Sequence, residues 1–360
     1  MLRKLAALLI GLVMAAVLAE VGFRVLRPGD FDRPFLRTAD GERKADLSQV
    51  IGFMNQVEGD GSQSEGPRSN LASGFFVRGC YDRPRWDYFD DEGCVDYRTN
   101  AFGFRDEEWT LDKPDGQHRI VAIGDSFTFG LGVQLEDTWA KRLQHQLAAD
   151  RGQDVLVVNA GFVGGHMPTQ YGPWLKEQSA QLDPDTVIIG LCLNDLGDIP
   201  MMAFEIAEEP SGSKAVDWVQ RKLGRWRVAR QLERSAEGTR KSFDYGKVID
   251  RQPETWHATR DALTATGTLL EQRGVRLVVV ILPMMSRLTD DDPFAPLHTL
   301  VREHCEEQGI EVIDLLPVFL GRRDTDLWVH PTDQHPNDVG HALIAGAVAS
   351  WFAEHPKAPR

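Results

Sequence analysis

Side chains that can carry out acyl transfer follow several apolar segments of this 360-residue chain. Ser126 stands shortly after the apolar run 120–123, and Asn194 follows a second apolar run. His335 precedes the last amphipathic segment, and Asp333 lies two residues before it. Serine is a weak nucleophile that needs a base within hydrogen-bond reach, and histidine serves because its pKa lies near working pH. The set therefore predicts Ser126 as a nucleophile and His335 as its base.

A serine mechanism also needs a carboxylate, and donors for the oxygen that gains charge. A carboxylate holds the imidazole in one tautomer and stabilises the imidazolium. Pro336 favours extended backbone at His335, and residues two apart in an extended segment face the same side, so Asp333 is the candidate. The donors can be a backbone N–H where a glycine permits close approach, or an amide side chain such as that of Asn194.

The elements that must position these residues are alternating strands and amphipathic helices from residue 118 onward. The predicted strands are short and rich in Val, Ile and Leu, as in parallel strands covered on both faces. They comprise residues 119–123, 155–159, 186–193, 276–282 and 311–315. The alternation predicts a three-layer α/β/α sandwich around a central, mainly parallel five-stranded sheet. The carboxyl ends of the strands share one edge, where ligands bind, so Ser126, Asn194 and His335 should meet there.

Four helices follow from apolar stripes, and their ends carry local signals. These signals are a candidate cap at Asp137, a late helix start at Gly172-Pro173 and a helix opening at Asn337 or Asp338. Gly124 is expected to supply a backbone conformation that is closed to other residues, which would let Ser126 approach a substrate closely.

Four motifs at this edge resemble the blocks of the SGNH (GDSL) hydrolase superfamily, which is named for Ser, Gly, Asn and His. They are Gly124-Asp125-Ser126, residues 158–164, Asn194-Asp195, and His335-Pro336-Asn337 with Gly340-His341. The resemblance covers residues 118–352 and implies an SGNH/flavodoxin-like fold and ester hydrolysis with Ser126 as nucleophile. It also implies that the backbone of Gly164 and the side chain of Asn194 donate to the oxyanion. Residues 97–105 are similar to a lead-in of membrane-anchored bacterial members.

Two positions depart from the family pattern. Cys192 stands where the third block usually has Gly, but Asn194 is present, so the strand end is expected to tolerate the change. Thr332 stands three residues before His335, where the family usually has Asp. The candidate acid is therefore Asp333, one residue further along the chain.

The first 27 residues are set apart from this domain. Arg3 and Lys4 precede an apolar run over residues 5–19, the pattern of a signal anchor or of a signal peptide cleaved before Glu20. Either reading predicts export. The body is expected in the cell envelope, anchored to the inner membrane through residues 1–27, or secreted if the segment is cleaved.

The rest of the chain divides where the pattern changes. Residues 28–115 carry Pro, Gly and charge clusters and predict a loop-rich lead-in that packs on the core. Residues 116–355 are expected to form the hydrolase domain. An insertion at about 196–250 interrupts the strand–helix alternation. A substrate lid and a solvated surface excursion are both open for it.

The four cysteines fit an exported protein. Cys80 and Cys94 flank a polar, aromatic loop, and such a pair often closes a disulfide in an oxidising compartment. Cys192 and Cys305 are expected to be small buried hydrophobes.

Composition narrows the partners and the function. The net charge is -14 and Lys and Arg are not concentrated in a patch, which excludes nucleic acid binding. The spacings of His330, His335 and His341 fit no helical metal-ligand pair, so neither a metal nor an organic cofactor is expected. The predicted function is a serine esterase that hydrolyses an acyl ester of a carbohydrate or lipid through an acyl-enzyme. O-acyl transfer to a cell-envelope polysaccharide and a non-catalytic glycan-binding scaffold stay open as alternatives.

Overall fold

Two compact units make up the chain, one of Met1–Arg33 and Asp198–Phe243 and the other of Pro34–Gly197 and Asp244–Arg360. The computed structural model describes residues 2–26, 35–38, 41, 43–44, 71, 73–81, 84–152, 154–163, 167–196, 213, 215–216, 253–290, 292–330 and 333–356. Most of the insertion predicted at 196–250 lies outside the described residues.

The described strands and helices follow one another along the chain. The strands are β1 (Phe35–Thr38), β2 (Arg43–Lys44), β3 (Phe76–Cys80), β4 (Cys94–Arg98), β5 (His118–Gly124), β6 (Val155–Gly161), β7 (Thr186–Cys192), β8 (Arg276–Leu282), β9 (Glu311–Asp314), β10 (Trp328–His330) and β11 (Asp333–Pro336). The helices are α1 (Leu2–Leu26), α2 (Ser126–Phe129), α3 (Trp139–Arg151), α4 (Pro168–Leu182), α5 (Pro253–Gln272), α6 (Ala295–Glu307), α7 (Leu316–Phe319) and α8 (Asp338–Glu354). Short 3-10 turns lie at Leu193–Leu196 and Asp324–Asp326.

A parallel sheet of five strands, in the order β6-β5-β7-β8-β9, forms the centre of the second unit. Every residue of β7 and β8 is buried, because helices cover both faces of the sheet, and this explains their unbroken apolar runs. The predicted parallel sheet is confirmed, and each predicted strand agrees with the observed one to within two residues at either end. The strand order reverses at β5, which places the ends of β5 and β7 at the switch point where ligands bind.

Helices flank the sheet on both sides. Helix α3 packs on β6 and α8, whereas α4 packs on α5, which in turn contacts α6. Thr138, and not Asp137, caps α3 by accepting from Lys141 N, because the Asp137 carboxylate accepts from the Arg142 guanidinium instead. Helix α4 begins before Gly172-Pro173, since Pro168 occupies its first position, where no N–H is needed.

Three glycines lie side by side where β6, β5 and β7 end. Gly124 is in register with Gly161 on one side and Gly190 on the other. A Cβ on Gly124 or Gly190 would meet Thr128 Oγ1, and one on Gly161 would overlap the backbone of Phe129. The reason for glycine at 124 is therefore space for α2, and not a positive φ, which Gly124 does not have. This row lets α2 lie directly on the sheet.

The lead-in, for which the sequence predicts loops, contains a second sheet in its described part. Strands β2, β1, β3 and β4 pair antiparallel in that order. These strands are short and β1 and β3 are separated by a long segment, so their alternation does not stand out from the Gly and Pro clusters. Cys80 and Cys94 face each other across β3 and β4 and form a disulfide, the pairing that the sequence favours.

The carboxyl-terminal part adds an antiparallel hairpin of β10 and β11, in which His330 is in register with Asp333. Helix α8 follows at once. Its cap is Asn337, whose side chain accepts from Gly340 N, in agreement with the predicted helix opening. The hairpin and the cap fix the backbone on both sides of His335.

The described residues of the first unit consist of α1 and three residues around Ser213. Glu20 on α1 accepts hydrogen bonds from Ser213 Oγ (2.8 Å) and Ala215 N (3.0 Å). None of the described helices meets the length and apolarity that crossing a membrane requires. The predicted membrane anchor is thus not confirmed.

Candidate active site

Ser126 is the first residue of α2, directly beyond the end of β5. Asp125 caps this short helix by accepting from Phe127 N at 2.9 Å. The turn is therefore held by the neighbouring carboxylate, and Ser126 is left half-buried at the sheet edge with its hydroxyl directed toward His335.

His335 and Asp333 stand two residues apart on the extended strand β11, so both side chains face the same way, as the sequence predicts. His335 Nε2 lies 2.9 Å from Ser126 Oγ, and His335 Nδ1 lies 2.5 Å from Asp333 Oδ1. Asp333 Oδ1 also accepts from the backbone N of His335 at 3.1 Å. The structure thus brings Ser126, His335 and Asp333 into one continuous line of hydrogen bonds.

The charge of Asp333 sets the histidine tautomer. Burial raises the pKa of Asp333, but the charge of His335 and the hydrogen bonds from His335 and Tyr81 outweigh it and lower the pKa to about 2. The carboxylate is therefore ionised near neutral pH and accepts the proton-bearing Nδ1. Nε2 is left without a proton and accepts from the hydroxyl of Ser126. This is the protonation pattern that general-base catalysis by histidine requires.

The two predicted oxyanion donors are only partly placed by the structure. Asn194 lies in the turn Leu193–Leu196, immediately after β7, and its backbone is at the same sheet edge as Ser126. Its side chain lies outside the described residues, and so does Gly164. Phe162, two residues before Gly164 in sequence, is held at this edge because its N donates to Gly124 O at 2.8 Å. Their donor roles stay predictions.

Comparison with known proteins identifies the family. The sequence profile of the GDSL-like lipase/acylhydrolase family matches residues 122–343, more than half of the chain. This chain belongs to the GDSL-like lipase/acylhydrolase family. It is therefore an ester hydrolase of the SGNH type, as its motifs indicate. No curated protein is significantly similar to the hydrolase in sequence.

Several solved structures are similar to the hydrolase. An acetylxylan esterase from Geobacillus stearothermophilus is 15% identical with a TM-score of 0.42, covering 67% of this chain and 95% of that one. A psychrotrophic esterase from Pseudoalteromonas sp. is 16% identical with a TM-score of 0.41, covering 66% and 98%. A lipase/acylhydrolase from Enterococcus faecalis is 17% identical with a TM-score of 0.41, covering 68% and 99%.

A buried arginine that the sequence analysis does not single out supports α2, the helix that begins at Ser126. The guanidinium of Arg105 donates to Phe129 O (2.9 Å), Gly130 O (2.5 Å) and Val133 O (2.6 Å). Burial lowers the pKa of Arg105 to about 10, which still leaves it charged near neutral pH. These bonds satisfy the carbonyls at the end of α2 and hold the loop behind Ser126.

Tyr81 is a second residue that sequence reasoning misses. It is buried, and its hydroxyl donates to Asp333 Oδ2. Tyr81 belongs to the lead-in and is far from Asp333 in sequence, and the end of a short antiparallel strand gives no signal of catalytic contact. Only the tertiary structure reveals this contact.

A buried acidic side chain lies close to Asp125 and the turn that carries Ser126. Asp195 is buried, and its Oδ2 has no hydrogen-bond partner among the described residues. Burial, reinforced by the nearby carboxylate of Asp125, raises the pKa of Asp195 well above its usual range. The protonated form is thereby favoured, which limits the negative charge near Ser126. Cys192, two residues before Asn194, is buried with its sulfur 4.0 Å from that of Met284, so the strand end accommodates the thiol.

The other histidines near this edge have structural contacts. His341 is fully buried, and its Nδ1 accepts from the backbone N of Trp139 at 3.1 Å. His330 stacks on the ring of Tyr81. Within the described ranges, His, Cys, Asp and Glu nowhere form a group of three or more that could hold a metal ion.

A cleft of about 900 Å³ lies at the opposite edge of the sheet, where the strands begin. Its lining includes Lys113, Asp185 and Thr186. Lys113 and Asp185 form an ion pair at 2.7 Å, so their charges neutralise each other. The cleft is remote from Ser126, which stands at the carboxyl ends of the strands, and we assign the active site to the Ser126 edge.

Proposed function

We propose that the protein is a serine esterase that hydrolyses an acyl ester of a carbohydrate or lipid through an acyl-enzyme on Ser126. The observation that carries the proposal is the line of hydrogen bonds from Asp333 through His335 to Ser126. Nucleophile, base and orienting carboxylate thus stand in the order that acyl transfer needs.

Acylation begins with attack on the ester carbonyl. Ser126 Oγ forms a bond to the carbonyl carbon while His335 Nε2 takes the hydroxyl proton, and the carbonyl oxygen becomes an oxyanion. Asp333 stabilises the imidazolium that results, because it is ionised and already bonded to Nδ1. The tetrahedral intermediate collapses when the bond to the alcohol oxygen breaks and His335 returns the proton to that oxygen.

Deacylation repeats these steps with water. His335 takes a proton from water, whose oxygen attacks the acyl carbon, and the bond to Ser126 Oγ breaks as His335 returns the proton to it. The oxyanion in both steps is assigned to the backbone N–H groups of Ser126 and Gly164 and the side chain of Asn194. Every step is a proton transfer or an acyl transfer, so the cycle needs neither oxidant nor reductant.

Export is a separate proposal, which rests on the sequence pattern of residues 1–27 and on the disulfide. Structural disulfides persist in oxidising compartments and are rare in the reducing cytosol. The Cys80–Cys94 bond therefore favours a location outside the cytoplasm. Fractionation of cells that express the full chain tests this proposal, and recovery of the protein with reduced thiols from the cytosol would contradict it.

A fluorophosphonate probe and an aryl ester screen test the enzymatic proposal. Ser126→Ala should abolish labelling and lower esterase activity by about 10⁴-fold or more. Ser286→Ala is the matched control. Ser286 also lies in the second unit, but it is buried and its hydroxyl lacks a hydrogen-bond partner among the described residues, so it has no base to activate it. The Ser286→Ala variant should be labelled and active like the natural protein. Equal activity in both variants would contradict the assignment of Ser126.

The same experiments separate the alternatives. A non-catalytic glycan-binding scaffold would not react with the probe, because only an activated serine does so. An acyltransferase would react, but would need a polysaccharide acceptor for rapid turnover and would yield an acylated glycan. Short-chain and long-chain aryl esters, each with and without a polysaccharide acceptor, therefore define the acyl group and the acceptor together.

A further inference from the structure

Tyr81 extends the line of hydrogen bonds that ends at Ser126. We propose that Tyr81 is a positioning residue of the catalytic site, because its phenol holds one oxygen of Asp333 so that the other oxygen faces His335. The inference rests on the proposed function. It adds a contribution from the lead-in, since Tyr81 lies outside residues 122–343, the segment that the family profile matches.

Both oxygens of the Asp333 carboxylate are engaged. Tyr81 Oη–H donates to Oδ2, while Oδ1 accepts from the ring and the backbone N of His335. Asp333 is buried, so water cannot replace a lost donor, and a buried acceptor left without its partner is costly. A carboxylate that is bonded at both oxygens cannot rotate about its Cβ–Cγ bond. Its orientation toward Nδ1 is therefore fixed before a substrate binds.

Packing holds Tyr81 itself in place. Its ring stacks on His330 with 5.1 Å between centroids and meets Phe89 edge-on at 5.4 Å. It directly follows Cys80, whose disulfide to Cys94 joins β3 to β4. Burial, with the adjacent carboxylate of Asp333, raises the pKa of Tyr81 well above its usual range. The phenol therefore keeps its proton and stays a donor at every working pH.

Other titratable groups lie near the hydrogen bonds that join Tyr81, Asp333 and His335. They come from β4, from the β3–β4 loop, from the hairpin and from α8, and they are Tyr97, Tyr88, His330 and His341. Burial raises the pKa of Tyr88 and that of Tyr97, the latter to about 12, and lowers the pKa of His341 to about 3. These three stay uncharged near neutral pH. His330 stacks on the ring of Tyr81 and is in register with Asp333 across the hairpin.

Loss of the Tyr81 phenol should shift the pKa of His335 in one direction. Tyr81 draws negative charge toward Oδ2, so its removal leaves more charge to stabilise the imidazolium of His335. The base then keeps its proton up to a higher pH, and the acid limb of the pH profile of kcat/KM moves upward. Oδ1 keeps its hydrogen bonds from the ring and the backbone N of His335, so this shift is retained, but the carboxylate is held less rigidly, and this lowers kcat without weakening the binding of substrate.

Tyr81→Phe tests the proposal with an aryl ester as substrate. We expect kcat to fall about tenfold with little change in KM, since a hydrogen bond to a charged group is worth at least roughly that factor. The acid limb of kcat/KM should move up by about half a pH unit or more.

Tyr97→Phe is the matched control. Tyr97 is also buried and lies on β4, the partner strand of β3, but its hydroxyl accepts from the backbone N of Gly132 at 2.8 Å. Removal of the Tyr97 hydroxyl breaks this buried hydrogen bond and leaves the hydrogen bonds of Asp333 intact. Tyr97→Phe should lower the melting temperature and leave the acid limb where it is.

A measurement on protein that keeps Tyr81 covers the case in which Tyr81→Phe fails to fold. The chain has five tyrosines, so labelling with [ζ-¹³C]tyrosine gives a simple spectrum. Asp333→Asn replaces a charged acceptor by a neutral one, and it should move the signal of Tyr81 more than that of any other tyrosine. This readout needs no turnover of ester.

Either of two results would overturn the inference. One is a Tyr81→Phe enzyme whose acid limb coincides with that of Tyr97→Phe, and the other is a Tyr81 signal that Asp333→Asn leaves in place. Failure of the proposed function is a different result, because the natural protein would then neither react with the fluorophosphonate probe nor turn over any ester. The tyrosine spectrum would still decide the position of Tyr81.

Discussion

The backbone of Phe129 lies against Gly161, so closely that a Cβ on Gly161 would overlap the amide nitrogen of Phe129. Gly161 ends β6, and Phe129 ends α2, the helix whose first residue is Ser126. The distance between the nucleophile helix and the sheet therefore depends on the absence of a side chain at position 161.

Gly161→Ala is predicted to displace the nucleophile. Backbone atoms cannot move aside as the end of a flexible side chain can, so α2 must shift away from the sheet. Because a misplacement of about 1 Å can cost roughly 10²-fold in rate, we expect kcat/KM to fall by about that factor, together with a lower melting temperature. Gly346→Ala on α8 is the control, since a Cβ there meets open space and alanine favours a helix. If both variants keep full activity, the packing of α2 on Gly161 does not set the position of Ser126.

The central sheet could be predicted from the sequence because its strands β5 to β8 are almost entirely buried and carry apolar runs, whereas the edge strand β9 is largely half-buried. The reason why position 124 requires glycine could not be predicted, because the row that Gly124 forms with Gly161 and Gly190 is visible only when the register of three strands is known. The strands of the lead-in were missed for a related reason. They are short, and their pairing joins segments that lie far apart in sequence.

The assignment of Asp333 makes a second prediction. Asp333→Asn should leave the backbone of β11 intact but remove the charge that orders His335, with a loss of up to about 10⁴-fold in kcat. Thr332→Val changes the position where the family pattern has Asp, and it should cost about tenfold or less because a hydroxyl cannot supply negative charge. Steady-state kinetics on both variants decide the matter. A greater loss in Thr332→Val than in Asp333→Asn would mean that the carboxylate comes from elsewhere.

How far the site could be predicted varies from residue to residue. Ser126 and His335 could be found because a strand end and a Pro-directed extended segment are local signals. Asp333 followed from the two-residue period of an extended chain, which β11 has. Tyr81 and Arg105 could not be found, because each reaches the site across tertiary structure and neither stands in a motif. The charge of Arg105 even predicts exposure, whereas hydrogen bonds to four backbone carbonyls hold it inside.

Loss of the Cys80–Cys94 bond is predicted to lower the stability of the second unit, whose lead-in sheet contains the bond. The bond closes a loop of 14 residues in sequence separation, and a loop of about that length corresponds to roughly 3 kcal/mol of unfolding free energy. Cys80→Ser/Cys94→Ser should therefore lower the denaturant midpoint, and a reducing agent should do the same to the natural protein. The double variant is its own control, because a reductant should not affect it. If the reductant lowered the denaturant midpoint of both proteins equally, its effect would not come from the Cys80–Cys94 bond.

The buried imidazole of His341 makes the stability of the fold depend on pH. Burial, followed by the positive charges of Arg105 and Arg142, lowers the pKa of His341 to about 3, whereas an unfolded chain has a histidine pKa of about 6.5. The unfolded state therefore binds a proton first as pH falls, and the native state does not. The contribution of His341 is fully present above about pH 6.5 and is lost as pH falls toward 3, at roughly 1.4 kcal/mol per pH unit.

His341→Gln should flatten this dependence. Between pH 6.5 and pH 5 the natural protein should lose about 2 kcal/mol of unfolding free energy through His341 alone, and the variant should lack that part of the slope. Glutamine can still accept from Trp139 N, so the buried contact has a replacement. Urea unfolding at several pH values gives the slope, and His145→Gln, which alters an exposed histidine on α3, is the control. The control should keep the slope of the natural protein. Equal slopes for His341→Gln and the natural protein would show that the pKa of His341 is the same in the native and unfolded states, and would assign the acid sensitivity to other groups.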